Sequence, residues 1–317
     1  MEDIVDLFEL LKAVIFGVVE GITEWLPISS TGHMLLLNQF LTLNVSEDFW
    51  NMFLVVIQLG AILAVIVMFF GKLNPFSGAK SSQEKRATWA LWGKIILACI
   101  PAAVIGLPLD NWMEEHLGSP FVIASALIAY GVIFIVIERV RAGRAQQLIA
   151  RGAHFTASSA REGAPADAPS AHVSATELAD SMATVRDIDD LGLGRALGIG
   201  VFQVLSMVPG TSRSGSTIIG GLLLGCSRPV ASEFTFYLAI PVMFGASALR
   251  LVKYLVAGNV PTTQETATLL VGCVVAFLVS LAAIKFLMGF VRKHSFEPFG
   301  WYRIVLGACV LTYFLLN

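Results

Sequence analysis

Charge is scarce in this chain. Only 14% of its 317 residues are Asp, Glu, Lys or Arg, while 56% are hydrophobic; a soluble domain carries about 25% and about 45–50%. That shortage excludes an ordinary water-soluble fold. Cysteine is sparse as well: Cys99, Cys226, Cys273 and Cys309 lie far apart, without metal-type spacing, and read as small buried hydrophobes. No basic stripe with interleaved aromatics is present, so nucleic acid is not an expected partner. The start of the chain has no basic n-region and no small-residue cleavage site, so no cleaved signal peptide is expected. The apolar runs are continuous rather than alternating, which excludes a β-barrel.

What the chain has is apolar length. Mean hydropathy is +0.75, and six runs, at 50–70, 88–107, 121–137, 234–255, 268–290 and 299–316, are long enough to cross the ~30 Å hydrocarbon core as helices. Backbone groups in lipid must be satisfied internally, which makes these runs helical. Two regions differ. Residues 4–43 and 191–225 are apolar overall, but Pro, Gly, Ser and charges interrupt each near its middle. Such segments predict re-entrant helix–loop–helix elements, tolerated where protein or a wet cavity surrounds the break. Residues 142–190, rich in Ala, Ser, Gly and Asp and holding Pro165 and Pro169, predict a flexible cytoplasmic linker, because they bury too little surface to offset ordering entropy.

The linker separates two related halves, 1–141 and 191–317, within one membrane domain. Gly17 and Glu20, followed by Pro27, Ile28, Ser29, Ser30 and Thr31, match Gly200 and Gln203, followed by Pro209, Gly210, Thr211, Ser212 and Arg213, with one gap. Three apolar spans follow each motif. The positive-inside rule places 71–94, the linker and Arg292 to His294 in the cytoplasm, and the acidic turn 109–119 outside; Arg250 and Lys253 fall against this count. Three spans per half invert the topology, so the two broken segments start from opposite faces and can meet at mid-membrane. The predicted fold is all-α integral membrane, with six transmembrane helices plus two re-entrant segments in inverted-topology repeats.

Glu20 and Glu24, spaced i, i+4, share a helix face. Acids at membrane depth are costly, and their default reading is functional. The pair suits a divalent-cation site with hard oxygen ligands or an acid/base pair with split pKa values; the bland alternative is hydration at the interface. Ser29, Ser30, Thr31 and His33 follow on a turn that opens a second helix, where hydroxyls and amides make an anion nest. In the second half Ser212, Arg213, Ser214 and Thr217 combine an Arg fork with hydroxyls, the chemistry of a phosphate cradle. The rival reading is that Arg213 pairs with Glu20 or Glu24 to hold the halves together. Glu233 and Lys285 read as structural ion-pair members. A composite site of this kind at membrane depth suits a phosphorylated lipid.

The Glu20/Glu24 pair, the run 29–33 and the motif 209–217, with Val56, Gln58, Gly60 and Ala231, Glu233 nearby, resemble the undecaprenyl-diphosphatase (bacitracin-resistance, BacA/UppP) family. The connection 142–190 looks longer than the family's usual one. The resemblance implies hydrolysis of undecaprenyl diphosphate to the monophosphate and inorganic phosphate. That reaction recycles the lipid carrier of peptidoglycan synthesis and confers bacitracin resistance. The implied location is the bacterial cytoplasmic membrane, with the site reached from its outer, periplasmic side, and the implied cofactor is Mg²⁺ or Ca²⁺; Glu20 and Glu24 would either hold it or activate the nucleophile. On this reading the partners are a polyprenyl diphosphate and the bilayer, and a homodimer is compatible with it. Arg213 would clamp the diphosphate, and Ser29, Thr31, Ser212, Ser214 and Thr217 would bind its oxygens. Ser30 would be the nucleophile and His33 an acid/base, or a metal-activated water would attack directly. Two rival classes remain: a transporter or flippase of a lipid phosphate or small anion, and a purely structural seam.

Overall fold

The computed structural model describes residues 5–150 and 174–316. Apart from one isolated bridge between Val185 and Cys226, every regular element among the described residues is a helix. The first half holds α1 (Leu7–Thr23), α2 (Ser30–Phe40), α3 (Glu47–Val56), α4 (Gln58–Met68), α5 (Phe70–Leu73), α6 (Ser82–Leu117) and α7 (Pro120–Ala150). After α8 (Ala175–Ser181) come α9 (Leu193–Val204), α10 (Arg213–Leu223), α11 (Arg228–Val256), α12 (Thr263–Phe290) and α13 (Glu297–Leu316). Among the described residues six stretches are long and apolar enough to cross a membrane: Glu47–Met68, Ser82–Gly106, Pro120–Leu148, Arg228–Val256, Thr263–Phe290 and Glu297–Leu316. These are the six runs read from the sequence, each beginning earlier by one to six residues, with the first two ending slightly sooner.

Local chemistry starts the long helices. Ser81 with Glu84 and Thr262 with Glu265 form reciprocal capping boxes at α6 and α12, each satisfying two amides that would otherwise lack partners. Pro101 and Pro108 in α6 and Pro241 in α11 do not end their helices, as is common where neighbouring helices re-satisfy the backbone. Large apolar side chains such as Ile96, Val104, Leu270, Val274 and Val305 face outward, while Glu138, Gln203, Arg228 and Arg303 are buried. Apolar outside and polar inside is the arrangement lipid demands.

Both broken segments appear as helix–break–helix: α1 stops at Thr23 and α2 begins at Ser30, while α9 runs into a single 3-10 turn (Leu205–Met207) before α10 begins at Arg213. Each second helix opens from a serine at positive φ, Ser29 at 72° and Ser212 at 70°, the two non-glycine residues so placed among those described. Such a conformation costs about 1–3 kcal/mol, and its occurrence at one matched position in each half sets their register. With Ser29 on Ser212, Glu20 falls on Gln203, Gly17 on Gly200 and Gly32 on Gly215 without any gap. The gap required by aligning Pro27 with Pro209 is therefore incorrect: the strained turn, not the proline, is the equivalent feature.

The halves also exchange partners. Helix α1 packs along α12, and its counterpart α9 packs along α6, the second span of the opposite half in each case. The third spans, α7 and α13, lie along one another. At their crossing a Cβ on Gly131 would sit 2.7 Å from the Gly300 carbonyl oxygen, and one on Gly300 would sit 2.8 Å from that of Gly131. Only glycine lets these backbones meet, and the reciprocity is what a two-fold relation requires.

The linker expectation needs correction. Residues 142–150 continue α7, and 174–190 are tied down: Val185 N–H donates to Gly225 O at 3.1 Å, and Ser227 N–H donates to Val185 O at 2.9 Å. Asp180 on α8 accepts from Arg141 at 3.3 Å and pairs at 3.0 Å with Arg228, which is itself buried against Glu138. Four ionic groups in one knot, Arg141, Asp180, Arg228 and Glu138, tie this segment to α7 and α11, a tertiary partnership that composition alone does not show. Pro165, Pro169 and the rest of 151–173 lie outside the described residues. The ion-pair expectations divide: Glu233 pairs with Lys72 at 2.6 Å, whereas exposed Lys285 makes no ion pair with a described residue.

Candidate active site

The two breaks meet. Arg213, first residue of α10, donates from Nη2 to Glu24 Oε1 at 3.0 Å, and Glu24 caps the end of α1. The other carboxylate oxygen of Glu24 accepts from Ser30 Oγ at 2.8 Å. Nη1 of Arg213 donates to the Thr235 carbonyl at 3.3 Å, and the guanidinium lies 5.8 Å from the centre of the buried Trp25 ring. The pairing of Arg213 with Glu24 is thus real and joins the halves. It also holds a carboxylate against a serine hydroxyl, which a purely structural seam does not need.

A cavity of about 590 Å³ opens beside this pair, with Glu20, Ser30, Thr31, Gln58, Met113 and Gly118 on its wall. Glu20 is 1% exposed, and its Oε1 has no hydrogen-bond partner. Of the sequence-derived candidates, Glu20, Ser30 and Thr31 line the cavity, while Glu24 and Arg213 stand one and two contacts behind Ser30. Ser29 is buried with an unpartnered hydroxyl.

The remaining hydroxyls hold the breaks in shape. Ser212 Oγ accepts from Gly215 N–H at 3.2 Å, capping α10, and lies 3.1 Å from Ser214 Oγ. Ser214 Oγ is within 3.2 Å of the Glu24 carbonyl, across the seam between the halves. Thr217 donates to Arg213 O at 2.9 Å and accepts from Thr235 Oγ1 at 2.8 Å. His33 lies off the cavity: its Nδ1 is 2.7 Å from Ser29 O and its Nε2 is 2.8 Å from Tyr302 Oη. With both nitrogens engaged on protein atoms, it buttresses the strained serine.

Sequence reasoning missed Arg303. Fully buried on α13, it donates to Pro27 O at 3.2 Å, Gly210 O at 2.8 Å and Thr211 O at 3.0 Å, and lies over the Tyr130 ring. One guanidinium therefore binds carbonyls of both breaks. Gly210 itself, at φ 95°, has room for no Cβ, which would sit 2.5 Å from Ile123 O. The missed signal was a lone Arg within the apolar run 299–316, which the cost of intramembrane charge should have flagged. Gln58 and Asn51 on the cavity wall carried no comparable signal.

The site's fit to a cation follows from its donors. Among the described residues no group of three or more His, Cys, Asp and Glu forms a cage. Two adjacent carboxylates with an unpartnered buried oxygen match instead the way Mg²⁺ binds, through one or two carboxylates with water and substrate phosphates completing the shell. Glu20, with its free oxygen on the cavity wall, fits a cation that binds together with a phosphorylated ligand, and Glu24, its oxygens on Arg213 and Ser30, adds negative charge behind it.

Comparison with known proteins agrees with this chemistry. The family profile described as bacitracin resistance protein BacA matches residues 13–309. The undecaprenyl-diphosphatase of Lacticaseibacillus paracasei is 50% identical over 305 residues, covering 96% of this chain and 98% of the relative. That of Streptococcus thermophilus is 50% identical over 307 residues, covering 97% and 94%, and one from Enterococcus faecalis is 45% identical over 308 residues, covering 97% and 98%. Coverage this complete on both sides means that these relatives carry a connection of comparable length.

Proposed function

The chain belongs to the bacitracin resistance protein BacA family, and on that footing we propose that it hydrolyses undecaprenyl diphosphate to undecaprenyl phosphate and inorganic phosphate in the bacterial cytoplasmic membrane. The observation that carries this reading is the chain of contacts Arg213–Glu24–Ser30, a cation and a carboxylate in sequence behind a hydroxyl that stands on the cavity wall.

Ser30 Oγ is the nucleophile. As it attacks the terminal phosphorus, its proton passes to Glu24 Oε2 along the existing 2.8 Å hydrogen bond, the activation a neighbouring base gives a weak nucleophile. The phosphoanhydride bond breaks, and undecaprenyl phosphate leaves with the electron pair. Water then attacks the phosphoserine, Ser30 regains a proton and inorganic phosphate departs. Arg213 orients Glu24 through Nη2, with Nη1 resting on the Thr235 carbonyl, and so places positive charge behind the carboxylate that serves the transferring phosphoryl group. Thr31 and the amides at the start of α2 bind its oxygens. Glu20, backed by Glu24, would hold Mg²⁺ or Ca²⁺, and the bound cation would neutralise charge on the diphosphate. His33, Ser212, Ser214 and Thr217 act through the shape of the breaks.

The cavity lies at the ends of α6 and α7 remote from Lys85, Arg139 and Arg141, with Met113, Gly118 and Ile123 on its wall. By the positive-inside rule that end is external, which supports substrate access from the outer leaflet and re-entrant paths for 4–43 and 191–225.

The test is phosphate release from a polyprenyl diphosphate by the purified chain in detergent, with and without chelator. Turnover by the wild type, lost in Glu24→Ala and Arg213→Ala, is expected. A well-folded wild type that releases no phosphate overturns the reading, and retained turnover in Ser30→Ala overturns the covalent route.

A further inference from the structure

Two cations stand where membrane orientation disfavours them. Arg250 and Lys253, one turn apart near the end of α11, lie on the side of the bundle that carries the acidic last turns of α6, while the other basic clusters gather at the opposite ends of the helices. Both border cavities. Asn51 and Arg250 line the catalytic cavity and also a smaller one of about 230 Å³, whose wall adds Lys253, Tyr254 and Asn259. The two cavities therefore adjoin at Asn51 and Arg250, and the smaller one lies outward of the larger.

We propose that the smaller cavity is a phosphate-binding subsite at the mouth of the catalytic cavity, formed by Arg250 and Lys253 with the carboxamides of Asn51 and Asn259. It rests on the phosphatase reading, which consumes one phosphate-bearing anion and releases another. An Arg fork and a Lys ammonium together match a phosphate dianion, carboxamide N–H groups add directional donors, and a concave wall between low-dielectric helices concentrates their field. Among the described residues Asp48 is the one carboxylate on this wall, and it accepts from Asn259 Nδ2 at 3.1 Å. Arg250 and Lys253 are both engaged in the resting structure; what assigns the site is their place at the junction of the two cavities. The volume accommodates a phosphate and excludes a polyprenyl chain, so the occupant is either the headgroup of an arriving substrate or the departing inorganic phosphate.

The experiment compares wild type with Arg250→Gln/Lys253→Gln and with the charge-preserving Arg250→Lys/Lys253→Arg. Inhibition of turnover by added inorganic phosphate, the KM for polyprenyl diphosphate and the salt dependence of kcat/KM are measured for each. The neutral pair is expected to lower kcat/KM by about tenfold at low salt and to flatten its salt dependence, and the charge-preserving pair to stay near wild type. Weakened phosphate inhibition identifies the leaving phosphate as occupant, whereas a raised KM with inhibition unchanged identifies the arriving headgroup. A folded neutral pair that matches wild type in all three measurements overturns the proposal. If wild type shows no turnover, the phosphatase reading fails separately. Calorimetric binding of inorganic phosphate to wild type and to the neutral pair then decides the subsite by itself, equal affinity overturning it.

Discussion

Arg303→Met tests how the site is held. The substitution keeps length and apolar stem but removes three hydrogen bonds from a charged group, to Pro27 O, Gly210 O and Thr211 O, at a fully buried position. Hydrogen bonds to charged groups contribute about 1.5–3 kcal/mol each, and a buried carbonyl left without a partner costs about 1–3 kcal/mol. Against this stands the relief from burying a guanidinium with no carboxylate beside it, a penalty of several kcal/mol. The two nearly offset, so the melting temperature in detergent should fall only modestly. Activity should fall much further, because the carbonyls belong to the segments that present Ser30 and Arg213. A displacement of about 1 Å at the reacting groups is enough for about 10²-fold in rate. Arg303→Lys, able to reach one or two of the carbonyls, should recover part of the loss. The assay is phosphate release set beside thermal unfolding, with the decrease expected in kcat more than in KM. Undiminished kcat in a folded Arg303→Met protein would refute the idea that this side chain sets the register of the two breaks.

Four further outcomes follow from particular contacts. Glu24→Gln keeps the shape at Ser30 but removes the base and the charge facing Arg213, so kcat should drop by about 10²–10⁴-fold; a smaller loss argues against proton transfer to Glu24. Ser29→Gly should relieve the positive-φ strain and raise stability by up to about 1 kcal/mol, while turnover declines as Ser30 loses its fixed presentation; a lowered melting temperature contradicts this. Gly131→Ala or Gly300→Ala pushes a methyl into a facing carbonyl at 2.7–2.8 Å and should destabilise the α7/α13 crossing by about 1–3 kcal/mol, read as a lower melting temperature. Glu138→Ala leaves buried Arg228 with Asp180 alone and should cost about 3–5 kcal/mol, with turnover per folded molecule preserved because the knot lies far along α7 from the cavity; a selective loss of turnover would link the knot to the site.

Much of the architecture is written locally. Six apolar runs determine six helices because a chain in lipid must satisfy its backbone within each segment, a constraint that acts residue by residue. The breaks at 24–29 and 208–212 are legible for the same reason, since Pro, Gly and charge at membrane depth demand an exception. The acidic pair, the hydroxyl turn and Arg213 announce themselves as costs that need a function. Composition misled at 174–190, where polar residues that look unable to fold are held by Asp180 and by main-chain pairing with 225–227. Those partners are distant in the chain, and no local pattern encodes them.

Tertiary structure decided how the announced residues divide their work. Glu24 and Arg213 are 189 positions apart, so only the meeting of two breaks makes them a pair and places Ser30 against the carboxylate. The same meeting turns His33, Ser212, Ser214 and Thr217 inward to hold backbone, and brings Arg303, unremarked within an apolar run, against both turns. The register of the halves likewise came from two backbone angles, at Ser29 and Ser212, that no side-chain pattern reports. Sequence by itself determined which groups are too costly to be idle, because the price of charge in lipid is paid wherever the residue sits. Which of them face the cavity and which support it depends on long-range geometry, and that exists only in the folded chain.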